Sequence, residues 1–400
     1  MNIRQRIYDG MVREHLRQHK QMAFISGPRQ VGKTTLCRAL SKTYFNWDQQ
    51  DHRDIILRGP NALIEAAGLQ KASAREAVVV LDELHRYARW KTFLKGLYDV
   101  HGDDIRFIVT GSSRLDVFRR GGDSLMGRYF HYHMHPFSAA EAICTDLPTE
   151  KLIRPARPVP DDDWKALWTH GGFPDPFLKR DARFTRRWQT LREAQLLRGD
   201  VRDLTRILEL DQLAALAQIL KSRSGSQIIY SSLAQEVRVS ENTIRAWVGT
   251  LASLHFGFLV RPWHKNVTNA IRKEPKWFLR DWSIIEDEGQ RVETLTACHL
   301  LKAVEGWTDL GWGQFDLWYI RDKQKREIDF LVTRDRKPWF LVEAKRSDTS
   351  LTPNLALIQK SIGAQHAFQA VFSESHVETN CFKYTHPVVT PLKTLLSQLL

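Results

Sequence analysis

The stretch Gly27-Pro-Arg-Gln-Val-Gly-Lys-Thr34 decides the fold, because it fits the pattern G-x-x-x-x-G-K-[ST] at every fixed position. The apolar residues 22–25 come before it, and residues 35–40 have the composition of a helix. This strand, loop and helix order is the context of a phosphate-binding loop and argues against a chance match in a glycine turn. The glycines let backbone N–H groups point at phosphate oxygens, and the helix adds its positive end.

The loop predicts that the protein binds ATP with Mg²⁺. Lys33 would supply a positive charge at the β- and γ-phosphates, and the Thr34 hydroxyl is placed to ligate the metal. The predicted nucleotide-binding residues are consecutive: Gly27, Pro28, Arg29, Gln30, Val31, Gly32, Lys33, Thr34 and Thr35.

Two later apolar runs end in polar residues that complete the predicted site. Residues 77–81 read as a strand buried on both faces, and Asp82 and Glu83 follow it. Asp82 would hold Mg²⁺ through water, and Glu83 would orient or deprotonate the attacking water. A third strand, 105–110, is followed by Ser112, which could sense the γ-phosphate or the water. Parallel strands bring their carboxyl ends to one edge, so we expect a single site there.

Arg128 follows a glycine-rich stretch and is a candidate for completing an ATP site. An arginine in this position can neutralise charge in the transition state, either in its own subunit or in a neighbour. The alternative, an exposed loop arginine, fits the sequence equally well.

Composition limits the class of protein and its partners. The formal net charge of +13 favours polyanionic partners, chiefly nucleic acid, although a basic surface without a partner gives the same number. No apolar stretch approaches the ~20 residues of a membrane span, and the four cysteines show no metal-binding spacing. We therefore expect a cytoplasmic protein that binds DNA and not a membrane. The length favours several domains, and the four prolines within 147–163 indicate a linker.

The middle of the chain predicts a DNA-binding module. Residues 179–206 are rich in Lys and Arg at helical spacing, which suits either phosphate contacts or a solvated face. Residues 213–254 have the pattern of a winged helix-turn-helix, with Asn242, Thr243 and Arg245 on its third helix. The basic segment 261–280 reads as its wing. Helix-turn-helix units also bind proteins, so both kinds of partner stay open.

The last domain carries a carboxylate and lysine pattern. Asp329 lies on one predicted strand, and Glu343 and Lys345 share one face of its hairpin partner. Asp329 and Glu343 could hold Mg²⁺, with Lys345 positioning the attacking water; Glu293 could add a ligand and Gln359 could support the site. The alternative is a salt-bridged hairpin.

These motifs together resemble a family of AAA+-type P-loop ATPases with a Walker A of GPRQVGKTT and a carboxyl-terminal domain of unknown function with a restriction-endonuclease-like, PD-(D/E)xK core. The resemblance implies ATP binding, Mg²⁺ and possible assembly into a homo-oligomeric ring in which Arg128 or Arg114 reaches across. It rests on residues 27–35, 81–86, 110–114, 124–128, 171–174 and 327–345.

We therefore expect an α/β protein with four regions. These are a P-loop AAA+-type parallel-sheet ATPase domain (1–147), a linker with basic helices (148–205), a winged helix-turn-helix domain (206–280) and a nuclease-like α/β domain (281–400). The leading hypothesis is an ATPase acting on or near DNA, whose nucleotide hydrolysis controls the other domains. The alternative is a nucleotide-dependent regulatory switch that uses its helix-turn-helix for protein contacts and has an inactive nuclease-like domain.

Overall fold

A computed structural model describes residues 4–69, 77–111, 125–201, 207, 209–264, 274–322 and 324–400. The chain forms two compact units. The first contains residues 1–135 with 145–147, and the second contains residues 136–144 with 148–400. The sequence predicted a nucleotide domain that runs to residue 147, whereas the structure assigns residues 136–144 to the second unit.

The first unit is built on a five-stranded parallel sheet with the order β2-β3-β4-β1-β5. Every residue of β1 is buried, as expected for a central strand of a parallel sheet covered on both faces. The strands are β1 (Met22–Ser26), β2 (Thr43–Asn46), β3 (Ala77–Asp82), β4 (Ile105–Thr110) and β5 (Tyr129–His133). The helices are α1 (Ile7–Gln18), α2 (Lys33–Leu40), α3 (Gln50–Leu57), α4 (Pro60–Ala66) and α5 (Trp90–His101).

The register of this sheet brings the predicted site to one edge. Ile25 lies opposite Thr110, and Asn46 lies opposite Asp82, so four strands end close together. The loop of residues 27–32 leaves the same edge and leads directly into α2. This is the edge at which open α/β sheets bind ligands.

The second unit begins with helices and a hairpin. A cluster of buried apolar side chains joins α10, α11 and α12 to the hairpin β6–β7. The helices are α6 (Ala139–Ile143), α7 (Asp161–His170), α8 (Pro174–Lys179), α9 (Ala182–Ala194), a π-helix (Gln195–Asp200), α10 (Leu210–Ser222), α11 (Tyr230–Val237) and α12 (Glu241–Ser253). The hairpin strands are β6 (Gly257–Pro262) and β7 (Lys276–Leu279).

A seven-stranded mixed sheet completes this unit, with the order β12-β11-β10-β9-β8-β6-β7. Strand β6 pairs with β8, so the expected boundary at residue 280 falls within one continuous sheet. The remaining elements are α13 (Glu288–Asp309), β8 (Phe315–Arg321), β9 (Glu327–Arg334), β10 (Lys337–Lys345), α14 (Pro353–Ile362), β11 (His366–Val371), β12 (Pro387–Pro391) and α15 (Leu392–Ser397). Within the described ranges, no helix is both long and apolar enough to cross a membrane.

Candidate functional site

The loop between β1 and α2 has the backbone that phosphate binding requires. Gly27 has φ +148°, and a Cβ there would lie 2.2 Å from the Met134 carbonyl oxygen, so only glycine fits. Gly32 caps α2 with φ +105°, and Gln30 also has a positive φ of 60°. The loop therefore turns tightly into the positive end of a helix, which favours a bound anion.

Lys33 lies inside this loop. Its ammonium group donates hydrogen bonds to the carbonyl oxygens of Gly27 and Pro28, each at 2.8 Å. Burial lowers the pKa of Lys33, and the neighbouring Glu83 and Asp82 act in the opposite direction. The loop thus holds a cation at the position where the motif requires one.

Asp82 is held by hydroxyl groups from three neighbouring elements. Thr34 Oγ1 donates to its Oδ2 at 3.0 Å, Tyr44 donates to the same oxygen, and Thr110 donates to Oδ1. The predicted metal ligands Thr34 and Asp82 are therefore in direct contact. Sequence reasoning did not find Tyr44 or Thr110; the available signal was that both lie in strands neighbouring the one that ends in Asp82.

Glu83 has a buried carboxylate oxygen that accepts no hydrogen bond from the described residues. Its backbone has φ +55°, and within the described residues its buried Oε2 has no hydrogen-bond partner. His85 Nε2 lies 3.6 Å from the same oxygen. Burial raises the pKa of Glu83, while Lys33 opposes that shift. A buried acceptor beside Asp82, Thr34 and a phosphate-binding loop fits the presence of Mg²⁺, nucleotide and a water molecule.

Arg6 supports the loop from the amino-terminal side. Its guanidinium donates to the Val31 carbonyl oxygen at 2.9 Å and to the His135 carbonyl oxygen at 2.6 Å. The side chain is buried. Arg6 therefore ties the loop to the end of β5, a role that its sequence position did not reveal.

Arg128 does not meet the nucleotide loop of its own unit. It pairs with Asp99, at 2.7 Å from Nε, and lies just before the amino end of β5. The loop follows the carboxyl end of β1, which runs parallel to β5, so the two are at opposite edges of the sheet. A role for Arg128 in a neighbouring subunit stays a prediction, and Ser112 and Arg114 lie outside the described residues.

The predicted carboxylate and lysine residues of the second unit lie together around an unexpected cation. Lys345 Nζ lies 2.8 Å from Glu343 Oε1, and the Ala344 backbone N–H donates to Asp329 Oδ2 at 2.9 Å. Lys276 reaches the same group from β7 and pairs with Glu293 at 2.9 Å. We call Glu293, Glu327, Asp329 and Glu343 the acidic cluster.

Burial shapes the acidic cluster. It raises the pKa of Glu293 to about 8 and that of Glu343 to about 7, and Asp329 adds to both shifts. In the described part of the chain, no group of three or more His, Cys, Asp or Glu side chains is arranged to hold a metal ion. Gln359 does not join the cluster, because its amide donates to the carbonyl oxygens of Ala364 and Thr385.

The basic segments divide into buried and exposed residues. Lys276, Trp277 and Arg280, which the sequence placed in a DNA-binding wing, are all buried. On α12, Arg245 is exposed and pairs with Glu241 of the same helix. The exposed basic side chains of the preceding region include Arg183, Arg186 and Arg187 on α9.

Comparisons with known proteins match two parts of the chain. Residues 19–143 match the family model of an AAA domain, and residues 161–287 match that of a domain of unknown function. The second match covers the middle of the chain and does not confirm the nuclease-like domain that the resemblance implies at the carboxyl-terminal end. Uncharacterized proteins of Mycobacterium bovis and Mycobacterium tuberculosis are each 23% identical over 337 residues, covering 82% of this chain and 71% of theirs.

Two solved structures show weak similarity. One is the ORC1 protein of Aeropyrum pernix in complex with DNA, with a TM-score of 0.31 and 13% identity, covering 72% of this chain and 90% of that one. The other is a STAND ATPase with a tetratricopeptide repeat sensor from Pyrococcus horikoshii, with a TM-score of 0.23 and 11% identity, covering 76% and 47%. Similarity at this level carries no conclusion about this chain. The family match and the loop geometry together show that the first unit has an AAA-type fold with a phosphate-binding loop.

Proposed function

We propose that the protein binds and hydrolyses ATP with Mg²⁺ and that this activity is coupled to DNA. The observation that carries the ATPase proposal is the hydrogen bond between Thr34 and Asp82 beside the loop that contains Lys33. Mg²⁺, when bound, would neutralise phosphate charge and order the reacting groups.

The residues of the first unit have separate parts in this reaction. Lys33 would exchange its two carbonyl partners for phosphate oxygens, and Thr34 and Asp82 would hold the metal. Glu83 would accept a hydrogen bond from the attacking water through the oxygen that has no other partner among the described residues. Its raised pKa makes it a stronger base than an ordinary carboxylate.

The α9 arginine face, formed by Arg183, Arg186 and Arg187, supports DNA as the partner. The three residues are exposed at spacings of three and four, which places them on one side of the helix. Within the described part of the chain, none of the three guanidinium groups has an ion-pair or hydrogen-bond partner. Free, clustered guanidinium groups suit the regularly spaced phosphates of nucleic acid. We further propose that α10–α12 and β6–β7 are a winged helix-turn-helix and that α13 to β11 form a nuclease-like fold.

The ATPase test measures hydrolysis by the wild type and Lys33→Ala, with and without duplex, single-stranded and branched DNA. Lys42→Ala, which removes an exposed lysine just beyond α2, is the matched control. We expect DNA to stimulate the wild type and Lys42→Ala, and Lys33→Ala to lose turnover. A slow rate that no DNA changes would instead favour the regulatory switch with a protein partner.

The DNA test measures binding of a labelled duplex at about 50 mM and 200 mM salt, where phosphate contacts change affinity steeply. We compare Arg186→Glu/Arg187→Glu with Arg336→Glu/Lys337→Glu, which makes the same change in net charge on the β9–β10 turn. The α9 variant is expected to bind more weakly and to lose about two units of the salt slope. Equal losses of DNA affinity in both variants would show that the α9 arginines act only through the net charge of the protein.

A further inference from the structure

Lys276 lies among three of the four carboxylates of the acidic cluster. Its Nζ lies 2.7 Å from Glu327 Oε1, 2.9 Å from Glu293 Oε1 and 3.6 Å from Asp329 Oδ1. The residue is only 4% exposed. Three carboxylates, one from a helix and two from strand β9, thus converge on one buried ammonium group.

The other oxygens of the two predicted metal ligands are also in use. Asp329 Oδ2 accepts from the Ala344 backbone N–H at 2.9 Å. Glu343 Oε1 pairs with Lys345 at 2.8 Å, and its Oε2 accepts from the Asp329 backbone N–H at 3.4 Å. A metal ion would therefore have to displace several existing partners at once.

The backbone on both sides holds Lys276 in place. Lys276 lies opposite Val260 in the β6–β7 pair. On the other side, the Trp277 N–H donates to the Ser226 carbonyl oxygen at 3.0 Å, and the Gly225 N–H donates to the Trp277 carbonyl oxygen at 2.7 Å. A Cβ at Gly225, which has φ +86°, would lie 3.0 Å from Glu293 Oε2, so this glycine leaves room for the carboxylate.

The charges of this region are close to balanced without a metal. The four carboxylates of the acidic cluster face Lys276, Lys345 and, at 3.7 Å from Glu327, Arg321. Burial alone lowers the pKa of Lys276, but Glu293, Asp329 and Glu327 outweigh it and raise the pKa above its usual value. A dication placed among the same oxygens would lie next to this ammonium group and be repelled by it.

We propose that the Lys276 ammonium is the resident cation of the acidic cluster and takes the place that a divalent metal would fill. The second unit then lacks metal-dependent cleavage of a phosphodiester backbone. This inference does not depend on the proposed ATPase activity, because it concerns residues of the second unit alone. It answers the open question raised by Asp329, Glu343 and Lys345, which by themselves match an active nuclease pattern.

The test counts bound Mn²⁺ in nucleotide-free full-length protein, by the electron paramagnetic resonance signal of the free ion. The variants are the wild type, Lys276→Met, Lys276→Met/Asp329→Asn and, as the matched control, Lys345→Met. Any metal held at Asp82 is common to all of them. We expect Lys276→Met to bind one more equivalent of Mn²⁺ per chain than the wild type, the double variant to lose it, and Lys345→Met to gain none.

A second comparison decides the matter if Lys276→Met does not fold. Asp329→Asn in the wild-type background is expected to leave the number of bound Mn²⁺ ions unchanged. Loss of one equivalent in that variant would overturn the proposal, as would a folded Lys276→Met that gains none. Plasmid nicking by the wild type with Mg²⁺ or Mn²⁺ that disappears in Glu343→Gln would overturn it as well.

Discussion

The molecule contains two sites where carboxylates and a lysine meet, and they use the lysine in opposite ways. In the nucleotide loop, Lys33 is bonded to carbonyl oxygens, and the nearby Glu83 keeps a buried oxygen without a hydrogen-bond partner among the described residues. In the acidic cluster, Lys276 is bonded to the carboxylates themselves. The first arrangement leaves ligand atoms available for a metal and nucleotide, whereas the second uses them within the protein.

The difference shows that the residues of a motif do not determine which cation the site holds. Asp329, Glu343 and Lys345 satisfy the spacing of a metal-dependent nuclease, yet the group that meets Asp329 is an ammonium from another strand. A buried carboxylate needs a counter-charge, and the protein can supply it either as a bound ion or as a side chain. Whether the counter-charge is a bound metal ion or a side chain then decides whether the site can carry out metal-dependent catalysis.

The largest expected effect separates the two sites by activity. Glu83→Gln should lower ATP turnover by about 10³-fold, because it removes the general base, while nucleotide binding persists. Glu343→Gln is the matched change in the acidic cluster and should leave turnover unchanged. Steady-state ATP hydrolysis and binding of a fluorescent nucleotide analogue measure both. Equal loss of turnover in the two variants would remove the functional distinction between the sites.

The second prediction compares how much Lys276 and Lys345 each contribute to the stability of the folded protein. Lys276→Met should lower the free energy of unfolding by about 3 kcal/mol, because it leaves buried carboxylates without their counter-charge. Lys345→Met should cost much less, since that side chain is 32% exposed and, among the described residues, forms an ion pair with Glu343 alone. Urea denaturation followed by tryptophan fluorescence measures the difference. Losses that agree within about 0.5 kcal/mol would contradict a central role for Lys276.

The sequence predicted the phosphate-binding loop and the strands around it because their signals are local. The glycine spacing of residues 27–32 and the apolar runs that become β3 and β4 specify loop and strands within a few residues. The partners of Asp82 were harder to find, because Tyr44 and Thr110 depend on the order and register of neighbouring strands. Their contribution becomes visible only when the sheet is assembled.

The position of Lys276 in the acidic cluster could not be predicted from the sequence, for the same reason. Lys276 lies in a basic stretch that reads as an exposed wing, and its partners Glu327 and Asp329 are far along the chain. The contact exists because β6 pairs with both β7 and β8, which closes one sheet across an expected domain boundary. A pairing of distant strands leaves no periodic signal in either segment.

The third prediction tests the support of the nucleotide site. Tyr44→Phe removes one hydrogen bond to Asp82 but keeps the ring. It should weaken Mg²⁺ binding and so raise the Mg²⁺ concentration for half-maximal ATP hydrolysis about tenfold. The control is Tyr87→Phe, which removes the hydroxyl of a ring stacked on Trp47; in the described structure this hydroxyl makes no hydrogen bond to Asp82. The measurement is the Mg²⁺ concentration giving half-maximal rate. An unchanged value in Tyr44→Phe would show that Thr34 and Thr110 alone hold Asp82.

The smallest expected effect is a pH dependence confined to the acidic cluster. Burial raises the pKa of Glu293 to about 8 in the folded protein, so between its unfolded pKa of 4.5 and that value the folded state binds more protons than the unfolded state. Its contribution to stability is therefore greatest at low pH and falls as the pH rises through this window. The raised pKa of Lys276 does not cancel the trend, because that amine stays charged in both states below its unfolded pKa of 10.5.

Glu293→Gln should accordingly reduce the loss of stability with rising pH relative to the wild type. The measurement is the thermal unfolding temperature at about pH 5 and about pH 8, a range that spans most of this titration. Glu236→Gln, which changes an exposed acid paired with Arg223, serves as the control and should follow the wild type. If Glu293→Gln also follows the wild type, the charge of Glu293 is fully balanced by Lys276 at every pH in the range. The acidic cluster would then be a fixed ion pair network whose protonation does not respond to the solution, in contrast to the nucleotide site.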